Sequence, residues 1–313
     1  MRIEILGTES LGVRGLCCVV HTRNRHIVID PGVALGYRRA GLLPHPVQVA
    51  AGEDIRNRIV RNLKSATDVV ISHFHGDHMP LADANPYQLP LQRVSRLMRG
   101  SRLWMKGVDG EKPRILERRN VLIDVVGKTV PPCDGQMHGP LNFSKAMPHG
   151  SQDSPMGTVI MTRVEEGKDV FVHASDIQLL ADEPVWQILE WRPTILLVSG
   201  PPLYLDLRQD ELARASKRTK ALAEEICMCI IDHHLLRCRA GIRWLDELKA
   251  ETDGKVVCAA DFMGRERRFF EATRSWLYNR FPVRSVWHDA YIRGSETTRE
   301  FRNMDLFSTD SNV

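Results

Sequence analysis

The segment Asp68-Val69-Val70-Ile71-Ser72-His73-Phe74-His75-Gly76-Asp77-His78 constrains this chain most, because an apolar, β-branched strand runs directly into a cluster of potential metal ligands. At a strand end alternate side chains share a face, so His73 and His75 project together and their imidazoles can share one ion. Gly76 permits a turn that redirects Asp77 and His78 towards a second ion. A His-rich surface loop needs no buried strand leading into it. Later in the chain His149, Asp176 and His233 each follow an apolar strand or occupy a tight loop, which supplies the remaining pieces of a two-metal site.

With 313 residues and 43% apolar side chains the chain can bury a substantial core as one large α/β domain or two small ones. Lys and Arg total 43 against 39 Asp and Glu, a formal net charge of +4. That gives mild attraction for phosphate-bearing partners and no dedicated nucleic-acid footprint. Met1 to Gly7 carries Glu4 inside its apolar stretch and no small-residue cleavage pattern, so it reads as a first strand rather than a signal peptide. The longest apolar stretches, such as Thr194 to Val198, fall far below the roughly 18 residues of a membrane span. A soluble, cytoplasmic protein with no membrane partner is the expectation. Cys17, Cys18, Cys227, Cys229 and Cys258 sit in apolar, strand-like contexts that suit reduced, packed thiols. The single residue between Cys227 and Cys229 is too short a spacing for a zinc knuckle.

Strand-like runs recur at Arg2 to Leu6, Leu16 to His21, His26 to Asp30, Asp68 to Ser72, Asn142 to Ala146, Gly157 to Thr162, Asp169 to Ala174, Thr194 to Val198, Cys227 to Asp232 and Lys255 to Ala260. Helical periodicity occupies Ala51 to Ser65, Asp182 to Trp191, Gln209 to Glu225, Ile242 to Glu251 and Arg265 to Arg280. The last of these, rich in Arg and aromatics, reads as an amphipathic helix on the core before it reads as a nucleic-acid surface. Hairpins followed by strand-helix-strand alternation predict an α/β protein with two mixed sheets covered by helices. Pro80 to Pro90 and Lys106 to Asn120 read as loops or an insertion in one domain, residues 1–296. A polar tail, Thr297 to Val313, has a composition that suits disorder.

The order HxHxDH, then His, then Asp, then His resembles the ligand pattern of metallo-β-lactamase-fold hydrolases, along most of the chain. Gly7-Thr8-Glu9-Ser10 and Ile29-Asp30-Pro31-Gly32 are similar to that superfamily's opening hairpins, in which the second Asp and Gly are structural. More narrowly, Glu9 to Arg14, Pro148-His149-Gly150, His173-Ala174-Ser175-Asp176, Gly200-Pro201-Pro202 and Asp232 to Arg237 resemble a largely archaeal branch of it. The resemblance implies an αββα sandwich, two mixed β-sheets flanked by helices, with two divalent ions, Zn before Mn or Fe. It implies His73, His75 and His149 on the first ion, Asp77, His78 and His233 on the second, and Asp176 bridging both. A helix N-cap is the other reading of Asp176. His233 and His234 are adjacent and should point to opposite sides. The superfamily's two apolar residues, one small or polar residue and then His match Ile230-Ile231-Asp232-His233, which leaves His234 for substrate or proton transfer.

Arg14, Tyr204 and Arg237 fall in the branch's segments, and a guanidinium suits an anionic oxygen, so substrate contact is expected from these three. His173 reads as a core histidine or as support for a ligand, and His21, His26, His45, His138 and His288 as surface or structural groups. Met79-Pro80-Leu81-Ala82-Asp83 follows the run where many members start a Gly-rich helix, so the pocket rim should differ. Two cations roughly 3.5–4 Å apart lower the pKa of a bridging water and stabilise charge on a phosphoryl or acyl oxygen. Asp77 can take the water's proton, and a histidine such as His234 can protonate the leaving group. The expected activity is phosphoester hydrolysis of a small-molecule substrate. Lactone, thioester or other acyl hydrolysis is the alternative, and iron-dependent sulfur dioxygenase-like oxidation is a reading of another class. Nucleic acid as a partner lacks support, and a homo-oligomer is compatible with the sequence.

Overall fold

The computed structural model describes residues 1–152, 155–302 and 304. Its first sheet runs in the order β1 (Arg2–Gly7), β2 (Cys17–His21), β3 (His26–Ile29), β4 (Asp68–Ile71) and β5 (Arg102–Met105). β1 to β3 pair antiparallel, whereas β3, β4 and β5 are parallel. Further along lie β6 (Met137–His138), β7 (Leu141–Phe143), β8 (Met147–Pro148), β9 (Thr158–Val159), β10 (Thr162–Glu166), β11 (Asp169–His173), β12 (Ile195–Val198), β13 (Met228–Ile231) and β14 (Val256–Val257). The second sheet has the order β14-β13-β12-β11-β10-β7-β6, parallel from β11 to β14 and antiparallel elsewhere. β8 and β9 pair separately.

Period-two alternation divides the first sheet between two cores. Cys18, Val20, Ile27, Ile29 and Val70 pack with the second sheet. Cys17, Val19, Val28, Val69 and Ile71 pack with α1 (Pro46–Leu63), α2 (Ser95–Gly100) and α3 (Pro113–Val126). The parallel strands β12 and β13 are buried along most of their length, as strands covered on both faces must be. Their helices are α4 (Glu183–Trp191), α5 (Gln209–Glu225) and α6 (Arg239–Glu251), whose Val185, Leu222 and Leu245 join that core. The layers are therefore helix, sheet, sheet, helix, the αββα order expected.

Several boundaries depart from the sequence reading. Pro46 opens α1 five residues before Ala51, with His45 Nδ1 accepting from Val47 N at 3.3 Å. The supposed loop Lys106 to Asn120 contains the start of α3, whose exposed Arg and Glu residues mask the buried Leu122 and Val126, and which ends on Gly127 at φ 69°. The predicted helix Arg265 to Arg280 survives only as α8 (Arg274–Arg280), after the short α7 (Ala259–Phe262). Before α8 the backbone is claimed by tertiary bonds: Arg268 N donates to Ser10 O at 2.7 Å, and Phe270 is buried against Gly12. Cys227, at the entry to β13, is exposed, unlike Cys17, Cys18, Cys229 and Cys258. Of the polar tail, Thr298 donates to Glu53 and Arg302 pairs with Glu53 and Asp54 on α1, while 303 and 305–313 lie outside the described residues. Among the described residues no helix is long and apolar enough to cross a membrane.

His288 on α9 (Trp287–Ile292) lies between two tyrosine hydroxyls, Tyr87 at 2.8 Å and Tyr278 at 3.0 Å. Burial pulls its pKa down to about 4, so the ring is neutral and can bond to both. Replacing it with leucine strands the buried Tyr87 hydroxyl and removes the hydrogen bond of the half-buried Tyr278. His288→Leu is expected to cost about 2–4 kcal/mol in urea unfolding with metal content unchanged. Wild-type stability would show that the network is idle.

Candidate metal centre

The chain builds this site where strands of both sheets end. Asp30 follows β3, Ser175 follows β11 and His233 follows β13, and all three adopt left-handed backbone, φ 49°, 49° and 56°. Such conformations cost on the order of 1–3 kcal/mol each in non-glycine residues, so tertiary bonds must hold them. Asp30, fully buried, accepts from Ser72 N at 2.8 Å, Ser72 Oγ at 2.6 Å and Ser175 Oγ at 3.2 Å, and meets His78 Nδ1 at 2.9 Å. One carboxylate thus joins both sheets to the histidine run. Asp232 accepts from the Thr8 hydroxyl and from the backbone N–H of Ser10, His233 and Ala259 at 2.8–3.0 Å, which fixes the His233 turn. After β4 the run turns through His78 N and Met79 N, both donating to His75 O. Gly32 lies so close to that turn that a Cβ there would sit 2.3 Å from the His78 carbonyl carbon.

Asp176, 1% exposed, is the focus of the cluster. Its Oδ2 lies 2.8 Å from His149 Nε2, 3.2 Å from His234 Nε2 and 3.5 Å from His73 Nε2. Its Oδ1 lies 3.1 Å from His78 Nε2 and 3.3 Å from His233 Nε2. The donor atoms of His73, His75, His149 and Asp176 fall within 4.8 Å of one another, as do those of Asp77, His78 and His233. Asp176, His233 and His234 form a further such group. Asp30, His73 and His78 form another, but Asp30 is occupied by Ser72, Ser175 and the far nitrogen of His78.

Divalent cations fit these donors. His73 Nε2 and Asp176 Oδ1 are buried without a hydrogen-bond partner, an expensive state that an ion relieves. Asp30 at His78 Nδ1 and Glu9 at His233 Nδ1, 2.7 Å away, favour protons on those nitrogens. The Gly15 N–H also approaches His233 Nδ1, but at 3.2 Å, against 2.7 Å for Glu9, it is the longer contact. The Nε2 atoms of His78 and His233 stand 3.2 Å apart with Asp176 Oδ1 beside both, so positive charge is needed between them, from a proton or from a bound cation. Arg237 Nη2, 2.9 Å from His233 Nε2, meets part of that need. Burial, helped by neighbouring imidazoles, drives His75 down to about 2, and burial with Arg237 drives His234 to about 3. Both rings are therefore neutral, the form that ligates metal. Despite burial, His78, His233 and His234 hold the Asp176 carboxyl well below its usual range.

Tyr204, His234 and Arg237 come together beside Asp176: Tyr204 Oη is 2.7 Å from His234 Nδ1 and 3.3 Å from Arg237 Nη1. Adjacent histidines at a strand end were expected to diverge. Instead both Nε2 atoms reach Asp176 on different oxygens, because His233 is left-handed and His234 leads into the helical turn Leu235–Arg237. Arg14 is occupied by Glu271 through contacts of 2.7 and 2.5 Å, and Arg237 by Glu9 at 2.8 Å and Asp77 at 3.3 Å. His173 bonds Leu16 O at 2.8 Å, and His138 lies by Trp104, away from the ligand groups. Sequence reasoning passed over Asp232, Glu271 and Arg39, and gave Glu9 no role of its own. The signal for Glu9 was an acid in a stretch that is otherwise small and apolar.

Fold and site together define a class: an αββα protein in which two sets of imidazole and carboxylate donors meet at one shared carboxylate. The chain belongs to the UPF0282 family. It is 46% identical over 302 residues to a UPF0282 protein of Methanosarcina mazei, covering 96% of this chain and 99% of that one. It is 35% identical to one of Methanopyrus kandleri, over 88% of this chain and 99% of its relative. No family model matches. Among solved structures it is similar to AidC, a dizinc quorum-quenching lactonase, at 13% identity and TM-score 0.35 over 71% of this chain and 72% of that one. It is also similar to MEM-A1, a subclass B3 metallo-β-lactamase, at 15% identity and TM-score 0.31 over 85% and 88%.

Proposed function

We propose that this chain is a dinuclear metal-dependent hydrolase of the metallo-β-lactamase type, acting on phosphoesters. The observation that carries this reading is Asp176, a single buried carboxylate whose two oxygens meet different sets of imidazoles. His73, His75 and His149 would hold one ion, Asp77, His78 and His233 the other, and Asp176 both. Two bound divalent cations, zinc by preference and manganese or iron with the same donors, supply a reactive water at neutral pH and countercharge for an oxygen gaining charge. Asp30 and Glu9 orient the rings of His78 and His233. Asp77, its side chain 19% exposed, is open to the proton released by attack on the ester. His234, with Nδ1 on the Tyr204 hydroxyl and Nε2 beside Asp176, can relay a proton to the leaving oxygen, taking one from Tyr204 at Nδ1 as it gives one from Nε2. The Arg39 guanidinium over the Tyr204 ring favours an anionic ester over a neutral acyl substrate.

A panel of phosphomono-, di- and triesters beside lactones and thioesters tests the reading, with elemental analysis of wild type and His75→Ala. Phosphoester turnover is expected, with metal content falling from two ions to about one and activity falling at least about tenfold in the variant. Turnover of acyl substrates alone sinks the phosphoester assignment. Iron with oxygen uptake on turnover sinks hydrolysis, and two ions with full activity in His75→Ala sink the site.

A further inference from the structure

Arg39 and Arg237 contact the Tyr204 ring and Arg14 lies within electrostatic range of it, and the three differ in what neutralises them. Arg14 is paired by two contacts to Glu271, and Arg237 is shared by Glu9 and Asp77. Arg39, half-buried, has no carboxylate within ion-pair distance among the described residues. Its guanidinium is nevertheless held. It lies over the Tyr204 ring, 5.1 Å from the centroid, and Nη2 donates to Arg237 O at 2.8 Å. The backbone is held as well. Arg39 and Leu42 exchange both N–H···O bonds at 3.0 Å across Ala40 and Gly41, at φ 48° and 76°, a tight turn of the type that fixes hairpin ends. Gly41 accepts the second positive φ without strain.

We propose that Arg39 is the specificity-determining residue of this site, binding an oxyanion of the substrate, phosphoryl or carboxylate, that is separate from the bond being cleaved. This rests on the hydrolase reading above for the word substrate, and on geometry for the rest. Through Tyr204 and His234 the guanidinium is linked to Asp176, so one molecule can reach from the ligand groups to Arg39. With one hydrogen bond, to Arg237 O, the Arg39 guanidinium has donors left over for an incoming oxyanion. It is also fixed before the ligand arrives, so little side-chain entropy is lost on binding. Arg14 and Arg237 cannot take this role without abandoning buried glutamates.

The test is calorimetric and needs no turnover. Metal-loaded wild type, Arg39→Ala and Arg39→Lys are titrated with inorganic phosphate, with α,ω-alkanediphosphonates of one to four methylenes, and with the matching phosphonocarboxylates. Inorganic phosphate reports on the metals alone and should bind all three proteins within about twofold, with equal metal content. A two-headed probe of suitable span should bind Arg39→Ala about ten- to a hundredfold more weakly than wild type, and Arg39→Lys in between. A loss confined to the diphosphonates identifies a phosphoryl group, and a loss confined to the phosphonocarboxylates a carboxylate. If every probe binds Arg39→Ala as it binds wild type, the inference is overturned. Failure of the hydrolase reading registers elsewhere, as absence of ester turnover by a wild type that still shows Arg39-dependent binding.

Discussion

Asp176→Asn is expected to reduce bound metal from two ions to one or fewer and to lower hydrolysis at least about a hundredfold. Structural zinc binds with ~10–16 kcal/mol over four ligands, so one ligand carries about 3 kcal/mol, or roughly 10²-fold in affinity. Asp176 is unusual in that its loss falls on both donor sets at once, because Oδ2 faces His73 and His149 while Oδ1 faces His78 and His233. Asparagine keeps the shape but replaces one acceptor with an amide that can only donate, and removes the charge that offsets two dications. Elemental analysis and metal titration read the outcome directly. A second readout is thermal: stabilisation by saturating metal should shrink by about 2.7 kcal/mol for a hundredfold weaker site. Two ions retained at wild-type affinity would falsify the bridging role.

The legible part of this site was the part that periodicity reports. A four-residue apolar strand, Asp68–Ile71, pointed at His73 and His75, and the structure groups their donor atoms with those of His149 and Asp176. The αββα layering was legible for the same reason, since hairpin and strand-helix spacing are local. What sequence could not show is which charges cancel. Arg14 and Arg237 carried the expectation of substrate contact, yet Glu271 lies 257 positions from Arg14, and Glu9 lies 228 from Arg237. Arg39, in the turn to Leu42, has no carboxylate within ion-pair distance among the described residues. Alternation also failed at His233 and His234, where a left-handed residue replaces the pleat that the rule assumes. The helix expected from Arg265 misled because propensity is a weak prior against tertiary contacts such as the packing of Phe270 on Gly12 and the bonds of Glu271 to Arg14.

Glu9→Ala is expected to produce the other large effect, one that separates the two donor sets. Glu9 is 3% exposed and bonds His233 Nδ1 through Oε2 at 2.7 Å and Arg237 Nε through Oε1 at 2.8 Å. Truncation leaves the buried Arg237 with the more exposed Asp77, at 3.3 Å, as its remaining carboxylate, and breaking a buried ion pair from one side costs about 3–5 kcal/mol. It also frees His233 to flip or change tautomer, a loss worth roughly 10–100-fold in metal affinity at the set containing Asp77, His78 and His233. The His73, His75 and His149 set has no contact with Glu9, so one ion should remain tightly bound while the other is lost to a mild chelator. Glu9→Gln separates the causes: its one acceptor can serve Arg237 or His233 but not both, and its amide meets a donor on the other side. Removing the stranded charge as well, in Glu9→Ala/Arg237→Ala, should recover part of the stability lost in urea unfolding but none of the metal affinity. Equal loss of both ions in Glu9→Ala, or rescue of metal binding by the second substitution, would mean that Glu9 acts through the fold as a whole and not through His233.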